Sequence, residues 1–205
     1  GMFRPARLVI CDKTHIDYSG VRIIPKLLDD GSAKVSFNVQ YSGNAAAVKA
    51  SIISPDGQTV AKGVFKNENI ELGVIAPVLW DIESPNLYRA EVALLDENGE
   101  QTDKNEYTFG FRKSEFFADK GFFLNGKYTK FNGACLHHDL GLLGAAYNES
   151  GAKRQLEKLR EMGCNAIRTT HNPPAPQFLD LCDRMGFLVI AEFLDVGKDG
   201  KCKNG

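Results

Sequence analysis

The first half of the chain alternates apolar and polar residues in short runs. In Ala33–Tyr41, apolar side chains occupy every second position and polar ones lie between them, which is typical of a strand with one buried face. Turn sequences such as Asp30-Gly31 and Asn98-Gly99 separate runs of this kind. The further predicted strands are Leu8–Cys11, Val21–Pro25, Val48–Ile53, Thr59–Val64, Ile70–Val74, Tyr88–Leu95 and Tyr107–Arg112. Short strands bounded by turns favour an immunoglobulin-like β-sandwich over residues 1–113.

The pattern changes after about Lys130 to alternating strands and helices. Apolar positions at helical spacing predict one helix over Ala152–Met162, with Ser150 as its N-cap, and a second from Pro176 to Gly186. Strands are predicted at Phe131–Leu136, Cys164–Arg168 and Phe187–Ala191. A strand follows directly after the glycine that ends each helix, and this βα repeat favours a parallel sheet of the Rossmann or (β/α)8 kind.

A complete barrel is not expected in this length of chain. A (β/α)8 barrel takes about 250 residues, whereas only three strands and two helices are predicted after the sandwich. The predicted fold class is therefore mixed, with a β-sandwich followed by a partial α/β segment. Residues 114–205 are expected to form the N-terminal part of an incomplete barrel.

Composition and charge exclude several classes of protein. The 25 basic and 26 acidic residues among 205 give a net charge of -1, which argues against a nucleic-acid or membrane-surface partner. No run approaches the ~18 apolar residues of a membrane span, and no signal peptide is predicted. The sequence has no G-x-G-x-x-G and no P-loop, so no cofactor is predicted. The five cysteines show no zinc or disulfide spacing, and most are expected to be buried. They are Cys11, Cys135, Cys164, Cys182 and Cys202.

Candidate chemistry clusters just after the three predicted βα strands. Because the C-terminal ends of parallel strands meet at one edge of a sheet, polar side chains there are candidates for a binding site. These residues are His137, His138, Asp139, Arg168, His171, Asn172 and Glu192. Three of the four histidines of the chain are in this set, and core strands have no need of imidazoles. The sequence therefore predicts that the ends of these strands carry function.

Structural roles remain open for the same residues. His137 and His138 are alternatively surface histidines, Arg168 an ion-pair partner of Glu192, and His171 a turn cap. A metal site on His137, Asp139 and His171 ranks well below the binding of sugar hydroxyls, because no known zinc spacing is present. Trp80 is expected to be a packing anchor, with a sugar-stacking platform as the alternative.

The stretch Asn165–Ile190, NAIRTTHNPPAPQFLDLCDRMGFLVI, resembles the signature of glycoside hydrolase family 2, which includes β-galactosidases and β-glucuronidases. Residues 121–144 are similar to the entry of that family into its barrel. Residues 79–88 and 109–112 are similar to its immunoglobulin-like domain, and residues 3–10 to the exit from its N-terminal jelly roll. The resemblance covers essentially the whole chain.

The resemblance implies a retaining glycosidase that uses two glutamates, one as acid/base and the other as nucleophile. In the family they follow the fourth and seventh barrel strands, so both are expected to lie outside this chain. The pairs Asn67-Glu68, Asn105-Glu106 and Asn148-Glu149 follow no predicted barrel strand. No catalytic residue is therefore predicted in this chain, and by itself the chain is expected to be inactive.

What the resemblance assigns to this chain is part of a sugar pocket. His137, Asp139, Arg168 and His171 would hydrogen-bond the hydroxyls of the non-reducing sugar. His138 stands where relatives often carry an acidic residue, and Glu192 matches the glutamate of an Asp-Glu pair after the third strand. Asn172 stands where a tyrosine is common.

Two functions of different class remain open. The chain is either part of a retaining hydrolase of β-galactosides or related β-glycosides, or a non-catalytic carbohydrate-binding or scaffolding module of the same family. In both cases the predicted partner is a carbohydrate, together with self-association through the open edges of the partial barrel. The sugar and its linkage are left open. So is the compartment, although a periplasmic or secreted parent is typical of polysaccharide degraders.

Overall fold

The computed structural model describes residues 4, 6–66 and 68–193. They form two compact units, the first of which is Leu8–Lys127. Residues 128–193 belong to the second unit together with residues 4, 6 and 7. In the part of the chain that is described, no helix is both long and apolar enough to cross a membrane.

The first unit contains a sandwich of two antiparallel sheets. One sheet has the strand order β1-β2-β5 and the other β4-β3-β6-β7. The strands are β1 (His15–Leu27), β2 (Ala33–Ser42), β3 (Ala47–Ile53), β4 (Thr59–Phe65), β5 (Asn69–Val74), β6 (Tyr88–Leu95) and β7 (Gln101–Phe109). The predicted immunoglobulin-like sandwich is confirmed.

The alternating pattern of the sequence builds the core between these sheets. In β2, Val35, Phe37 and Val39 are buried while the residues between them are not. They pack in one cluster with buried residues of the opposite sheet, among them Ile52 and Leu94. Because one face of each strand is apolar, the two sheets bury those faces against each other.

The predicted strand at Leu8–Cys11 is wrong. These residues form no strand, and the side chains of Leu8 and Ile10 are each 88% exposed. The first strand begins only at His15, where it pairs with Ser42 of β2. An apolar run without a neighbouring strand to hydrogen-bond its backbone does not become a strand.

Trp80 is a packing anchor, as expected, and not a sugar platform. Its side chain is 2% exposed, and its backbone N–H donates to the carbonyl of Phe111 at 2.8 Å. The guanidinium of Arg112 lies 5.0 Å from the ring centroid, within cation–π range. A buried ring has no free face for a sugar.

A small antiparallel sheet follows the sandwich and was not predicted. Its strands are β8 (Ser114–Phe117), β9 (Gly121–Leu124) and β10 (Lys127–Tyr128), in the order β10-β9-β8. Phe122 and Leu124 are buried, whereas Phe116 is 74% exposed. The Asn125 side chain donates to the Trp80 carbonyl at 3.0 Å, which attaches the β9–β10 turn to the sandwich.

The second unit has the predicted three parallel strands and two helices. Its strands β11 (Gly133–Leu136), β12 (Ala166–Thr169) and β13 (Leu188–Ala191) form one sheet in chain order. Helix α1 (Glu149–Glu161) precedes β12, and α2 (Pro176–Met185) precedes β13. The N-cap of α1 is Asn148, not the predicted Ser150, because the Asn148 side chain accepts the Gly151 N–H at 2.9 Å. Gly186 ends α2 with a left-handed φ of 70°, as glycine does at this position.

The two faces of this sheet differ in burial. Leu136, Ile167 and Val189 pack against the two helices. On the opposite face Cys135, Arg168 and Ile190 lie side by side in the register, and all three are exposed. The expectation that most cysteines are buried is wrong for Cys135, because its side chain is on the uncovered face. Cys11 is also exposed, Cys182 is buried, and Cys202 lies outside the described residues.

Candidate functional site

Three of the predicted site residues meet at the C-terminal ends of β12 and β13. The Arg168 Nε donates to Glu192 Oε1 at 2.7 Å, and its Nη2 donates to the same oxygen. The other carboxylate oxygen, Oε2, lies 2.9 Å from Nδ1 of His171. Glu192 thus joins Arg168 to His171, and we call these three residues the strand-end cluster.

The first strand adds two side chains to this cluster. The ring of His137, just after β11, lies edge-on to the ring of His171 with 5.8 Å between centroids. Arg168 Nη1 lies 3.8 Å from Sγ of Cys135. Residues from all three parallel strands therefore converge at one end of the sheet, as the topology predicts.

The other predicted site residues lie elsewhere in the same unit. His138, Asp139 and Asn172 line a cavity together with His137, whereas Arg168, His171 and Glu192 do not. Helix residues Ala152, Gln155 and Phe178 and the strand residue Thr169 also line it. The set predicted from the sequence thus divides between an exposed cluster and a cavity on the helix side, with His137 at both.

Backbone contacts fix the loop that carries His138 and Asp139. The Asp139 N–H donates to the His137 carbonyl at 2.8 Å, and Asp139 Oδ1 accepts the Gly141 N–H at 2.8 Å. Gln155 of α1 donates to the Asp139 carbonyl at 3.2 Å. One Asp139 carboxylate oxygen is therefore engaged within its own loop and is not directed at the strand-end cluster.

Charge within the strand-end cluster favours an ionised Glu192. Hydrogen bonding from Arg168, with a further contribution from His171 and the charges of both, holds the pKa of the Glu192 carboxyl below its usual value. The guanidinium of Arg168 and the carboxylate of Glu192 form an ion pair, so the structural role that the sequence left open for Arg168 is present.

Such a cluster can hydrogen-bond a polyol. The Arg168 side chain is 45% exposed and that of His171 33%, so both can reach a ligand that approaches the strand ends. Donors and acceptors fixed by one another suit sugar hydroxyls, which both donate and accept. In residues 4, 6–66 and 68–193 no three His, Cys, Asp or Glu side chains are grouped to hold a metal ion.

Two contacts in this site were not predicted from the sequence. Thr169, at the end of β12, accepts the backbone N–H of Glu192 on its hydroxyl at 3.1 Å, and Cys135 contacts Arg168. Cys135 was predictable, because the parallel register puts it beside Arg168. The hydrogen bond between Thr169 and Glu192 was not predictable, because it depends on where β13 ends.

Comparison with known proteins identifies relatives for both units. The family model "Glycosyl hydrolases family 2" matches residues 14–112, and "Glycosyl hydrolases family 2, TIM barrel domain" matches residues 117–202. The chain is 37% identical over 215 residues to the beta-galactosidase BoGH2A of Bacteroides ovatus, covering 98% of this chain and 25% of that protein. It is 32% identical to a beta-glucuronidase of Bacteroides fragilis, covering all of this chain and 32% of that protein.

A solved structure has a fold similar to that of this chain. The crystal structure of a beta-glycosidase from Bacteroides vulgatus matches with a TM-score of 0.87 and 35% identity, over 94% of this chain and 26% of that one. The chain thus spans about a quarter to a third of the length of the relatives named here. With the two family models matching in succession along it, the chain belongs to glycosyl hydrolase family 2.

Proposed function

We propose that this chain forms the immunoglobulin-like domain and the opening of the barrel of a retaining glycoside hydrolase that acts on β-galactosides or related β-glycosides. The relatives named above are a beta-galactosidase, a beta-glucuronidase and a beta-glycosidase, which supports this class of substrate. The division between domains is proposed at residue 113, and support for it comes from the change of family model between residues 112 and 117.

One observation carries the proposal. Glu192 joins Arg168 and His171 at the C-terminal end of three parallel strands, where barrels of this type bind their substrates. We propose that Arg168 and His171 contact the hydroxyls of the non-reducing sugar, that Glu192 holds them in place, and that His137 adds a further donor. His138, Asp139 and Asn172 are proposed to support this subsite from the neighbouring cavity.

The catalytic pair is proposed to lie outside these residues. Retaining hydrolysis needs two carboxyl groups about 5–5.5 Å apart, on either side of the glycosidic bond. The family resemblance assigns them to the fourth and seventh strands, whereas β11, β12 and β13 are the first three. Asn105 and Glu106 lie in β7 of the sandwich, and Glu149 begins α1. The chain alone is therefore proposed to bind sugar without cleaving it.

Residue-resolved NMR tests the proposal on the 205-residue chain. Titration with methyl β-D-galactopyranoside is expected to shift the signals of Arg168, His171 and Glu192, with weak affinity because most of a pocket wall is absent from three strands. The variant Arg168→Ala should lose these shifts. Arg89→Ala is the matched control, because it removes the same charge from an exposed position on β6.

Other results distinguish the alternatives. Shifts confined to the sandwich, or unchanged in Arg168→Ala, would contradict the proposed subsite. Tight binding by the isolated chain would favour a carbohydrate-binding module. Hydrolysis of an aryl β-galactoside or β-glucuronide above the buffer blank would contradict the absence of the catalytic pair, and Glu192→Gln would then show whether Glu192 is responsible.

Self-association is proposed for the same unit. Strands β11 and β13 are the outer strands of their sheet. Ile190, on the uncovered face, is 51% exposed, and Phe193, just after β13, is 70% exposed. Unpaired strand edges and exposed apolar side chains favour pairing with another chain. A second copy of this chain is the proposed partner when nothing else is present.

A further inference from the structure

We propose that Thr169 is the positioning residue of the strand-end cluster and that its hydroxyl, by accepting the backbone N–H of Glu192, holds the Glu192 carboxylate against Arg168 and His171. The inference rests on the proposed function for its purpose, because a fixed carboxylate matters only if Arg168 and His171 hold a ligand. Thr169 itself contacts no proposed sugar position, since its side chain lies on the helix side of the sheet.

The register of the sheet shows which backbone acceptor the Thr169 hydroxyl replaces. The pairing of β12 with β13 ends at Thr169 and Ala191. Every second backbone N–H along β12 points to β11, and that of Thr170 continues this ladder by donating to the Leu136 carbonyl at 2.9 Å. In a regular parallel ladder the Glu192 N–H would donate to the Thr169 backbone carbonyl, just as the Leu188 N–H donates to the Asn165 carbonyl at 2.9 Å. In this structure its acceptor is instead the Thr169 hydroxyl oxygen Oγ1, at 3.1 Å.

The hydrogen bond from the Glu192 N–H to Thr169 fixes the direction of the Glu192 side chain. Side chains alternate along a strand, so Glu192 lies on the same face as Ile190, which is also the face of Arg168 in the register. Continuing the extended backbone of β13 by one residue places both carboxylate oxygens within reach, one for Arg168 and one for His171. Thr169 is itself 5% exposed. Its hydroxyl is therefore shielded from water, and leaving the Glu192 N–H without an acceptor there would cost free energy.

The ionisable groups around Glu192 come from each strand. Arg168 reaches it from β12 and His171 from the loop after β12, while Cys135 and His137, from β11 and its following loop, contact these two residues. A shift of the Glu192 backbone would therefore change the hydrogen bonds of Arg168 and His171 first. Both changes are observable without any sugar.

The experiment compares Thr169→Val, Thr169→Ser and the wild-type chain by NMR. In the wild type at neutral pH, the amide of Glu192 is expected to exchange slowly with solvent, and the Arg168 Nε–H signal to be visible. Thr169→Val keeps the shape of the side chain without the acceptor. It should speed exchange of the Glu192 amide at least tenfold, weaken the Arg168 Nε–H signal and move the pKa of Glu192 up toward its ordinary 4.5. Thr169→Ser should restore all three.

Thr170→Val is the matched control. Thr170 is buried to the same extent, but its hydroxyl contacts the Arg168 carbonyl at 3.4 Å, not Glu192. Equal effects of Thr170→Val and Thr169→Val, failure of serine to restore the signals, or rapid exchange of the Glu192 amide in the wild type would each overturn the proposal. The wild-type exchange rate decides the matter even if the valine variant does not fold. If the wild-type chain shows the expected Glu192 amide exchange and Arg168 Nε–H signal but binds no sugar, the proposed function is contradicted and the role of Thr169 is not.

Discussion

The sandwich and the βα unit have similar fractions of apolar residues, but only the sandwich closes its core. Two sheets cover each other's apolar faces there, and Val35, Ile52 and Leu94 are fully buried. In the βα unit, one face of the sheet packs on two helices, while the other leaves Cys135 and Ile190 exposed. The candidate site lies on the unit whose sheet is uncovered on one face.

This difference explains where binding chemistry can lie. Neighbouring strands of the sandwich run in opposite directions, so their C-terminal ends are divided between the two ends of each sheet. Three parallel strands bring their C-terminal ends together, and Arg168, Glu192 and His171 interact there. The sandwich therefore supplies stability, and the partial barrel supplies the contacts proposed for sugar.

The largest expected loss of stability follows from a change in the closed core of the sandwich. Phe37 is fully buried between the sheets, and Phe37→Ala should lower the free energy of unfolding of the sandwich by about 3–5 kcal/mol. Chemical denaturation followed by the Trp80 fluorescence measures it. Phe116→Ala, at an exposed aromatic position, is the control and should cost less than about 1 kcal/mol. Equal losses would mean that the sandwich is not the closed unit described here.

A smaller effect is expected where the chain passes Trp80. A Cβ added at Gly110 would lie 2.8 Å from the Cβ of Trp80, so Gly110→Ala should destabilise the sandwich by about 1–3 kcal/mol. Gly73 in β5 is the matched control, since an added Cβ meets nothing within 4 Å. Gly73→Ala should be neutral or stabilising by up to about 1 kcal/mol. A stable Gly110→Ala variant would show that Trp80 is free to move.

The smallest expected effect is a change with pH in the stability of the βα unit. Folding lowers the pKa of Glu192 below its usual 4.5 through the hydrogen bond from Arg168 and then that of His171. Ionised Glu192 therefore stabilises the folded state fully above pH 4.5, and this contribution is lost as pH falls through the lowered value. The difference in denaturation midpoint between wild type and Glu192→Gln should shrink over that range. A difference that stays constant with pH would show that the ion pair does not stabilise this unit.

Strands were predictable where the sequence has a repeating pattern. They were not predictable where tertiary contacts determine whether a strand forms. Strict alternation located β2, and the glycine after each helix located β12 and β13. The run at Leu8–Ile10 has the apolar composition of a strand but no neighbour to pair with. The β8–β9 hairpin was missed because its phenylalanines stand in adjacent pairs, Phe116-Phe117 and Phe122-Phe123, which breaks the two-residue period.

The candidate site was predictable only in part. The topology of parallel strands predicted that Arg168, His171 and Glu192 would be neighbours. It did not predict that the loop after β11 folds back through Asp139 and Gly141, which puts His138 and Asp139 at the cavity instead. Loop conformation depends on local hydrogen bonds that no periodic pattern encodes.

Amide hydrogen exchange at two protein concentrations tests the contrast between the two units most directly. Strands β3 and β6 have neighbours on both sides, so their amides should be protected at every concentration. The amides of β13 that point away from β12 should exchange freely in dilute solution and become protected as copies associate, with light scattering reporting the assembly. Full protection of β13 in a dilute monomer would contradict the open edge. Free exchange in β3 and β6 would contradict the closed sandwich.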